Sequence, residues 1–250
     1  MEILVSNDDG VDAPGLLALA EGLRELGNVT VVAPDRERSA VAHALTLTSP
    51  LRLTEVRPGW YSTDGTPTDC VHLGVHAVCG RAPDLVVAGI NRGPNMGDDL
   101  TYSGTVGVAL EGALLGIPSI AVSLAARENE NYGPAAVIAR AIAAAVAREG
   151  LPDRTFLNVN VPNAPSGKMP GPVKITTQGR RVFGSGIVKK KDPRGRDYYW
   201  IGGSELGYVD GDETSDVQAV AAGMISVTPL STDLTARTLY EKLKSWRFTV

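Results

Sequence analysis

The chain has 250 residues, of which 43% are hydrophobic, and carries a formal net charge of −4. That length and composition supply enough apolar surface for a substantial core and exclude a disordered chain. The excess of acids argues against general nucleic-acid binding, which calls for surplus Lys and Arg.

The first residues, MEILVSNDDG, give a short apolar strand over 2–7 that breaks into turn formers, so Asp8 and Asp9 stand at its C-terminal end. PGLLALAEGLREL from Pro14 reads as a helix with proline in its first turn and Leu16, Leu19, Leu23 and Leu26 on one stripe. NVTVVAP is a second strand, parallel to the first by the right-handed crossover rule. From Leu45 to Val56 apolar and polar residues alternate, which predicts a half-exposed ribbon.

A helix is predicted over 67–79 with Thr66 as its cap, then a buried strand DLVVAGI at 84–90, then a helix at 103–116. PSIAVSLA is a strand, an Ala-rich helix runs from about Pro134 to Arg148, and FLNVNVP is a further strand. This alternation predicts an α/β fold: a Rossmann-like, mostly parallel sheet with helices on both faces.

After Pro162 the pattern changes to β-branched and aromatic residues around Gly-rich turns, which predicts C-terminal extended β-hairpin arms. Between Lys174 and Trp200 eight Lys or Arg face two Asp, a local excess of six positive charges. The basic tip at 189–196 reads as a solvated hairpin end or as a collar drawing anionic substrates toward a cleft. MISVTPL is a strand and DLTARTLYEKLKSW a terminal amphipathic helix. The expected organisation is a single domain over 1–250, with its core at about 1–162, arms at about 163–210 and a closing strand and helix at about 216–247.

Cys70 and Cys79 both fall in the helix predicted over 67–79, where nine positions of rise separate them by about 13 Å, beyond disulfide reach. Two free thiols fit a reducing compartment. No apolar run approaches the roughly 20 residues that span a bilayer, and no signal-type segment opens the chain. The expectation is a cytoplasmic protein without a membrane partner.

In open parallel sheets ligands bind beyond the carboxyl ends of the strands. Those ends here deliver Asp8 and Asp9, PDRERSA with Ser39, and NRGPNMGDD with Asn91 and Asn95. Two carboxylates, a hydroxyl and an amide carbonyl form an all-oxygen set suited to a hard divalent cation such as Mg²⁺ or Mn²⁺. The SGTVG stretch adds an anion site: Ser103 caps a helix, Gly104 admits an oxyanion, and the first free N–H groups favour negative charge.

The segments ILVSNDDG, APDRERSA, GINRGPNMGDDLTYSGTVGVALEG and ISVTPL together closely resemble the survival protein E (SurE) family of metal-dependent nucleotide phosphatases. The resemblance implies one metal per subunit on Asp8, Asp9, Ser39 and Asn91, with Asn95, Ser103, Gly104 and Thr105 on the phosphate side. It also implies hydrolysis of nucleoside 5′- and 3′-monophosphates, in some members of short polyphosphate, and a homodimer or homotetramer built by the C-terminal arms. Where relatives often read DLTAH, this chain has DLTAR, so no role is assigned to Arg237.

The mechanism that follows is metal-assisted attack by water, with Asp8 and Asp9 as the catalytic acids and Asp8 as the base that orients or deprotonates the water. One rival is an aspartyl-phosphate phosphotransferase of the haloacid dehalogenase type, but those enzymes space their acids Asp-x-Asp and here they are adjacent. Another is a nucleotide-sensing module without turnover. A Rossmann dehydrogenase lacks support, since no G-x-G-x-x-G follows the first strand. His72 and His76 are read as structural, and His43 as a loop histidine to be tested as the leaving-group acid. Tyr102 is read either as a stacking platform for a base or as an aromatic packed under its loop.

Overall fold

The computed structural model describes residues 1–182, 186–201, 207–209 and 211–248. Through Pro162 it follows the predicted alternation, with the strand Trp60–Thr63 as an addition that the sequence pattern does not announce. Strand β1 (Glu2–Ser6) leads into helix α1 (Pro14–Leu23), strand β2 (Asn28–Pro34), and the pair β3 (Leu53–Arg57) and β4 (Trp60–Thr63). Helix α2 (Pro67–Leu73), strand β5 (Leu85–Arg92), helix α3 (Gly104–Leu114), strand β6 (Ser119–Ala125), helix α4 (Tyr132–Glu149) and strand β7 (Thr155–Pro162) complete it. Beyond these lie β8 (Val173–Ile175), β9 (Ile187–Lys191), β10 (Asp197–Ile201), α5 (Asp216–Ala221), β11 (Ile225–Ser231) and α6 (Arg237–Leu243).

Nine strands form one sheet in the order β3-β4-β2-β1-β5-β6-β7-β11-β8. The run from β4 to β7 is parallel, while β3 and β11 pair antiparallel with their neighbours β4 and β7. Because side chains alternate across a strand, Ile3 and Val5 enter one apolar core and Leu4 the other. Leu16, Leu19 and Leu23 of α1 meet Ala135, Ile138 and Ala139 of α4 in the first core. Cys70 and Val71 of α2 meet Val106 and Ala109 of α3 in the second. Both faces of the sheet are therefore covered, as the sequence predicts.

The departures have local causes. The ribbon expected over 45–56 is a strand only from Leu53, because the chain before it is fastened to the cap of α2: Thr66 Oγ1 donates to the Ala44 carbonyl at 2.6 Å and Thr46 N to Asp69 Oδ1 at 2.9 Å. The helix expected over 67–79 widens at Gly74 into a π-helical turn through Val78. Cys70 and Cys79 are both free. Of the extended segment after Pro162, β8 joins the main sheet beside β11, whereas β9 and β10 pair with each other. Residues 183–185, 202–206 and 210 of the expected arms lie outside the described residues. Helix α5 is too short for its periodicity to show in the sequence, and the terminal helix is shorter than predicted and buries none of its residues.

Candidate metal and phosphate site

Strand order reverses between β1 and β5: the chain moves from β1 to β2 on one side and from β5 to β7 on the other. The crevice at such a reversal is where open α/β sheets bind ligands. Asp8, Asp9 and Asn91 are all delivered to it. The turn after β1 is closed by Asn7, whose Nδ2 donates to the Gly10 carbonyl at 2.9 Å and whose Oδ1 accepts from Gly10 N at 3.3 Å. This side-chain turn frees Asp8 and Asp9 to leave the strand line.

Asp8 is 4% exposed. Its Oδ1 accepts a short hydrogen bond from Thr105 Oγ1, and that hydroxyl also lies 3.4 Å from Asn91 Oδ1. The β5–β6 register shifts between Ala88 and Asn91, and Asn91 Nδ2 donates to the Gly93 carbonyl at 2.8 Å, which leaves the amide oxygen facing the acids. Asp9 Oδ2 accepts from Arg92 N at 3.1 Å. The segment after β2 is fixed by Arg38 N donating to the Asp8 carbonyl at 2.7 Å; one residue on, Ser39 Oγ donates to Glu37 Oε1 at 2.8 Å. The structure thus brings Asp8, Asn91 and Thr105 into direct contact and places Asp9 on the adjoining backbone, whereas the Ser39 hydroxyl stays on Glu37 within its own loop.

Ser103 caps α3, its hydroxyl accepting from Val106 N at 3.1 Å. Gly104 stands where a Cβ would lie 2.7 Å from Asp8 Cβ and 2.9 Å from Asp8 Oδ2, so only glycine lets the helix start approach the acid this closely. Thr105, expected on the phosphate side, has its hydroxyl engaged by Asp8. Asn95 Nδ2 donates to Ser123 Oγ at 2.8 Å, and its backbone is held from both sides by Asn158 and Asn160.

Burial pushes the Asp8 carboxyl up to about 6; the Thr105 hydroxyl opposes the rise and the neighbouring Asp9 charge adds to it. Burial raises Asp9 as well, against the Arg92 N–H, with the Glu37 charge adding to the rise. Among the described residues no ion pair reaches either acid, and no three His, Cys, Asp or Glu side chains are grouped as metal ligands. Two adjacent carboxylates with amide and hydroxyl oxygens beside them nevertheless fit a hard cation, which completes its shell with water rather than with a full protein cage.

Several residues escaped the sequence reading. Asn158 and Asn160 are fully buried on one face of β7 and grip the 91–97 loop; polar residues two apart in an apolar strand were the available signal. Asp216 accepts from Gly97 N at 3.0 Å and Gly179 N at 2.9 Å, tying that loop to the chain after β8. Glu111 on α3, 5% exposed, accepts from His43 Nε2 at 2.5 Å, and His72 Nε2 lies 2.7 Å from its other oxygen, off the line of a good hydrogen bond. His43 is therefore anchored rather than a free loop histidine, whereas His72 has the structural place expected of it. Tyr102 is 53% exposed, which excludes packing beneath its loop. At the basic tip Lys189 pairs with Asp197 and Arg196 with Asp192, and Arg237 pairs on the surface with Asp233.

Residues 3–185 match the family model described as Survival protein SurE. The chain belongs to the SurE family. It is 60% identical over 247 residues to the 5′-nucleotidase SurE of Geobacter sulfurreducens, covering 98% of this chain and 94% of that one. It is 56% identical over 250 residues to the 5′-nucleotidase SurE of Geotalea uraniireducens, covering both chains in full. The crystal structure of the SurE protein from Aquifex aeolicus superposes with a TM-score of 0.87 at 46% identity, covering 98% of each chain. The SurE fold is thus shared along the length that carries the site.

Proposed function

We propose that the chain is a 5′-nucleotidase that hydrolyses nucleoside monophosphates to nucleoside and phosphate. The observation that carries this reading is the contact of Asp8 and Asn91 with Thr105 at the start of α3, which joins an acid cluster to a helix N-terminus. The SurE relatives named 5′-nucleotidase, similar over nearly the whole chain, support the substrate class.

Asp8, Asp9, Ser39 and Asn91 would hold one divalent cation per subunit, Mg²⁺ or Mn²⁺ by the hardness of their oxygens. Bound there, the cation supplies charge neutralisation on the transferring phosphoryl group and lowers the pKa of water. The protein's own part is positioning. The Gly104 N–H at the start of α3 would meet a phosphate oxygen while the Thr105 N–H and hydroxyl hold the Asp8 carboxylate, Asn95 and the Ser103 cap fix the walls, and Asp8 takes the proton of the attacking water. Exposed Tyr102 stands beside this helix start as a surface on which a base stacks. Action on 3′-monophosphates and short polyphosphate belongs to the same proposal.

The whole chain is proposed as a single cytoplasmic domain whose C-terminal arms assemble a homodimer or homotetramer. No described helix is long and apolar enough to cross a membrane.

Phosphate release from a panel of nucleotides, with Mg²⁺, Mn²⁺ or EDTA, tests the function. Release is expected with metal, is abolished by EDTA, and falls at least about 100-fold in Asp9→Asn. Equal activity of that variant overturns the assignment. Nucleotide binding with no turnover establishes the sensing module instead, and a trapped phosphoryl group on Asp8 establishes the aspartyl-phosphate route.

A further inference from the structure

The chain contains three histidines, and two of them meet at one carboxylate. His43 and His72 face the two oxygens of Glu111, and His76 stacks against His72 with ring centroids 5.8 Å apart. The proposed chemistry uses none of them. Glu111 lies seven residues after Gly104 on α3, about 10 Å along the axis from the helix start that faces Asp8.

We propose that Glu111 and His43 are positioning residues: their contact fastens the 35–46 segment, and Ser39 with it, onto the helix whose N-terminus faces Asp8. This rests on the metal-site reading above, because Ser39 is one of its four ligands.

The segment has reason to need such a fastening. Ala40 and Ala42 have φ of 59° and 55°, left-handed conformations that residues with a Cβ adopt at a cost and keep only when their surroundings impose them. Five backbone contacts hold the course of the chain: Asp35 N to the Thr63 carbonyl and Thr46 N to Asp69 Oδ1 at its ends, and between them Arg38 N to the Asp8 carbonyl, Ala42 N to the Tyr102 carbonyl at 3.2 Å, and the Ala44 carbonyl to Thr66 Oγ1. Between Ala40 and Leu45 the only polar side chain is His43. It therefore carries the one side-chain hydrogen bond this stretch offers to the body of the protein.

Glu111 is suited to receive it. A buried carboxylate demands partners, and burial alone would push this one up; the His43 hydrogen bond and the charges of His72 and His43 bring it below the usual range instead. Glycine at 107, one turn before Glu111, completes the fit. A Cβ there would stand 3.1 Å from the Ala42 carbonyl oxygen, so the segment lies directly on the helix surface. His72 adds α2 to the same post, and segment, α2 and α3 are joined at one carboxylate. Ordering Ser39 before metal arrives removes an entropic cost that would otherwise fall on binding.

The test uses the full-length protein, with Mn²⁺ alone as probe. Mn²⁺ affinity is read from the electron paramagnetic resonance signal of the free ion, and segment mobility from amide hydrogen exchange of residues 40–46 in metal-free protein. His43→Ala is expected to weaken Mn²⁺ binding about tenfold and to speed exchange of those amides by a similar factor. His43→Gln, which keeps a donor toward Glu111, should restore both to within about twofold of wild type. His76→Ala, which does not touch Glu111, should change neither. With AMP as substrate, the defect of His43→Ala should appear at limiting Mn²⁺ and be lost at saturating Mn²⁺, which a general loss of folding would not produce.

Wild-type affinity together with wild-type exchange in His43→Ala overturns the tether. Faster exchange with unchanged Mn²⁺ affinity overturns its role toward Ser39. If wild-type protein binds no Mn²⁺ while the variant exchanges faster, the metal-site reading fails and the tether stands. Glu111→Gln serves as a second variant from the helix side, and His43→Ala decides if that one does not fold.

Discussion

Asp8 is held by the fold in surroundings that disfavour its charge. Burial raises its carboxyl from 3.8 to about 6, and the sign of the consequence follows from linkage. The unfolded chain ionises this acid more readily than the folded one. Stability of the metal-free protein from this residue is therefore intact below about pH 4, is lost as pH rises through the window from 3.8 to about 6, and stays lost above it. The shift corresponds to a penalty on the order of 3 kcal/mol at neutral pH. Asp8→Asn should accordingly raise the melting temperature of EDTA-treated protein at pH 7.5 by about 5 °C or more, show no such gain at pH 4, and abolish activity. Thermal scans of both proteins at the two pH values check this; coincident melting curves at pH 7.5 would contradict it. A residue that weakens the empty protein and is needed for turnover is the expected trade between stability and function.

The elements act through where they begin and end. Helix α3 does two jobs along its length: its first residues press on Asp8, and its Glu111 holds the segment that bears Ser39. The first job depends on a missing side chain. In Gly104→Ala the added Cβ would meet the Asp8 side chain and Pro67 Cγ at 3.0 Å or less, and neither the Asp8 Cβ nor the Pro67 ring atom is the far end of a flexible chain. Helix and strand end must then separate. kcat/KM for AMP should fall about 100-fold, the scale of loss for a misplacement near 1 Å, with the far-ultraviolet circular dichroism unchanged. Retained activity would show that the approach of α3 to Asp8 is not needed for catalysis.

The 91–97 loop was legible as a site from its asparagines and glycines, yet its support was not. Asn158 and Asn160 hold it from β7, more than 60 residues away in sequence. Such long-range pairing leaves little trace beyond two buried polar residues in an otherwise apolar strand. Local fastening likewise turned the alternating stretch from Leu45 into an irregular run up to Leu53, because hydrogen bonds to the cap of α2 won over strand propensity.

Taken whole, the molecule has an apolar surface that its described residues leave open. Among the described residues the β9–β10 hairpin pairs with no other strand, and Trp200 and Ile201 on it are 64% and 94% exposed. An isolated two-stranded hairpin is marginal in water, and exposed patches of this kind mark contact surfaces. A second copy of the chain is the occupant that the proposed assembly through the arms supplies. The double variant Trp200→Ser, Ile201→Ser should lower the mass found by sedimentation equilibrium toward that of one chain while the core stays folded. An unchanged mass would place the interface elsewhere.

The sequence by itself determined the alternation of strands and helices, the two-sided covering of the sheet, and the family, because hydrophobic period, turn residues and motif order are local properties of a chain. It also placed Asp8, Asp9, Ser39 and Asn91 at strand ends, where the parallel topology must bring them to one edge. Only the tertiary structure decided that Thr105 binds Asp8, that Gly104 lies against that acid, and that His43 and Glu111 meet across 68 residues of chain. Those contacts depend on how close one element comes to another, and that distance is set by packing of the whole rather than by any stretch of it.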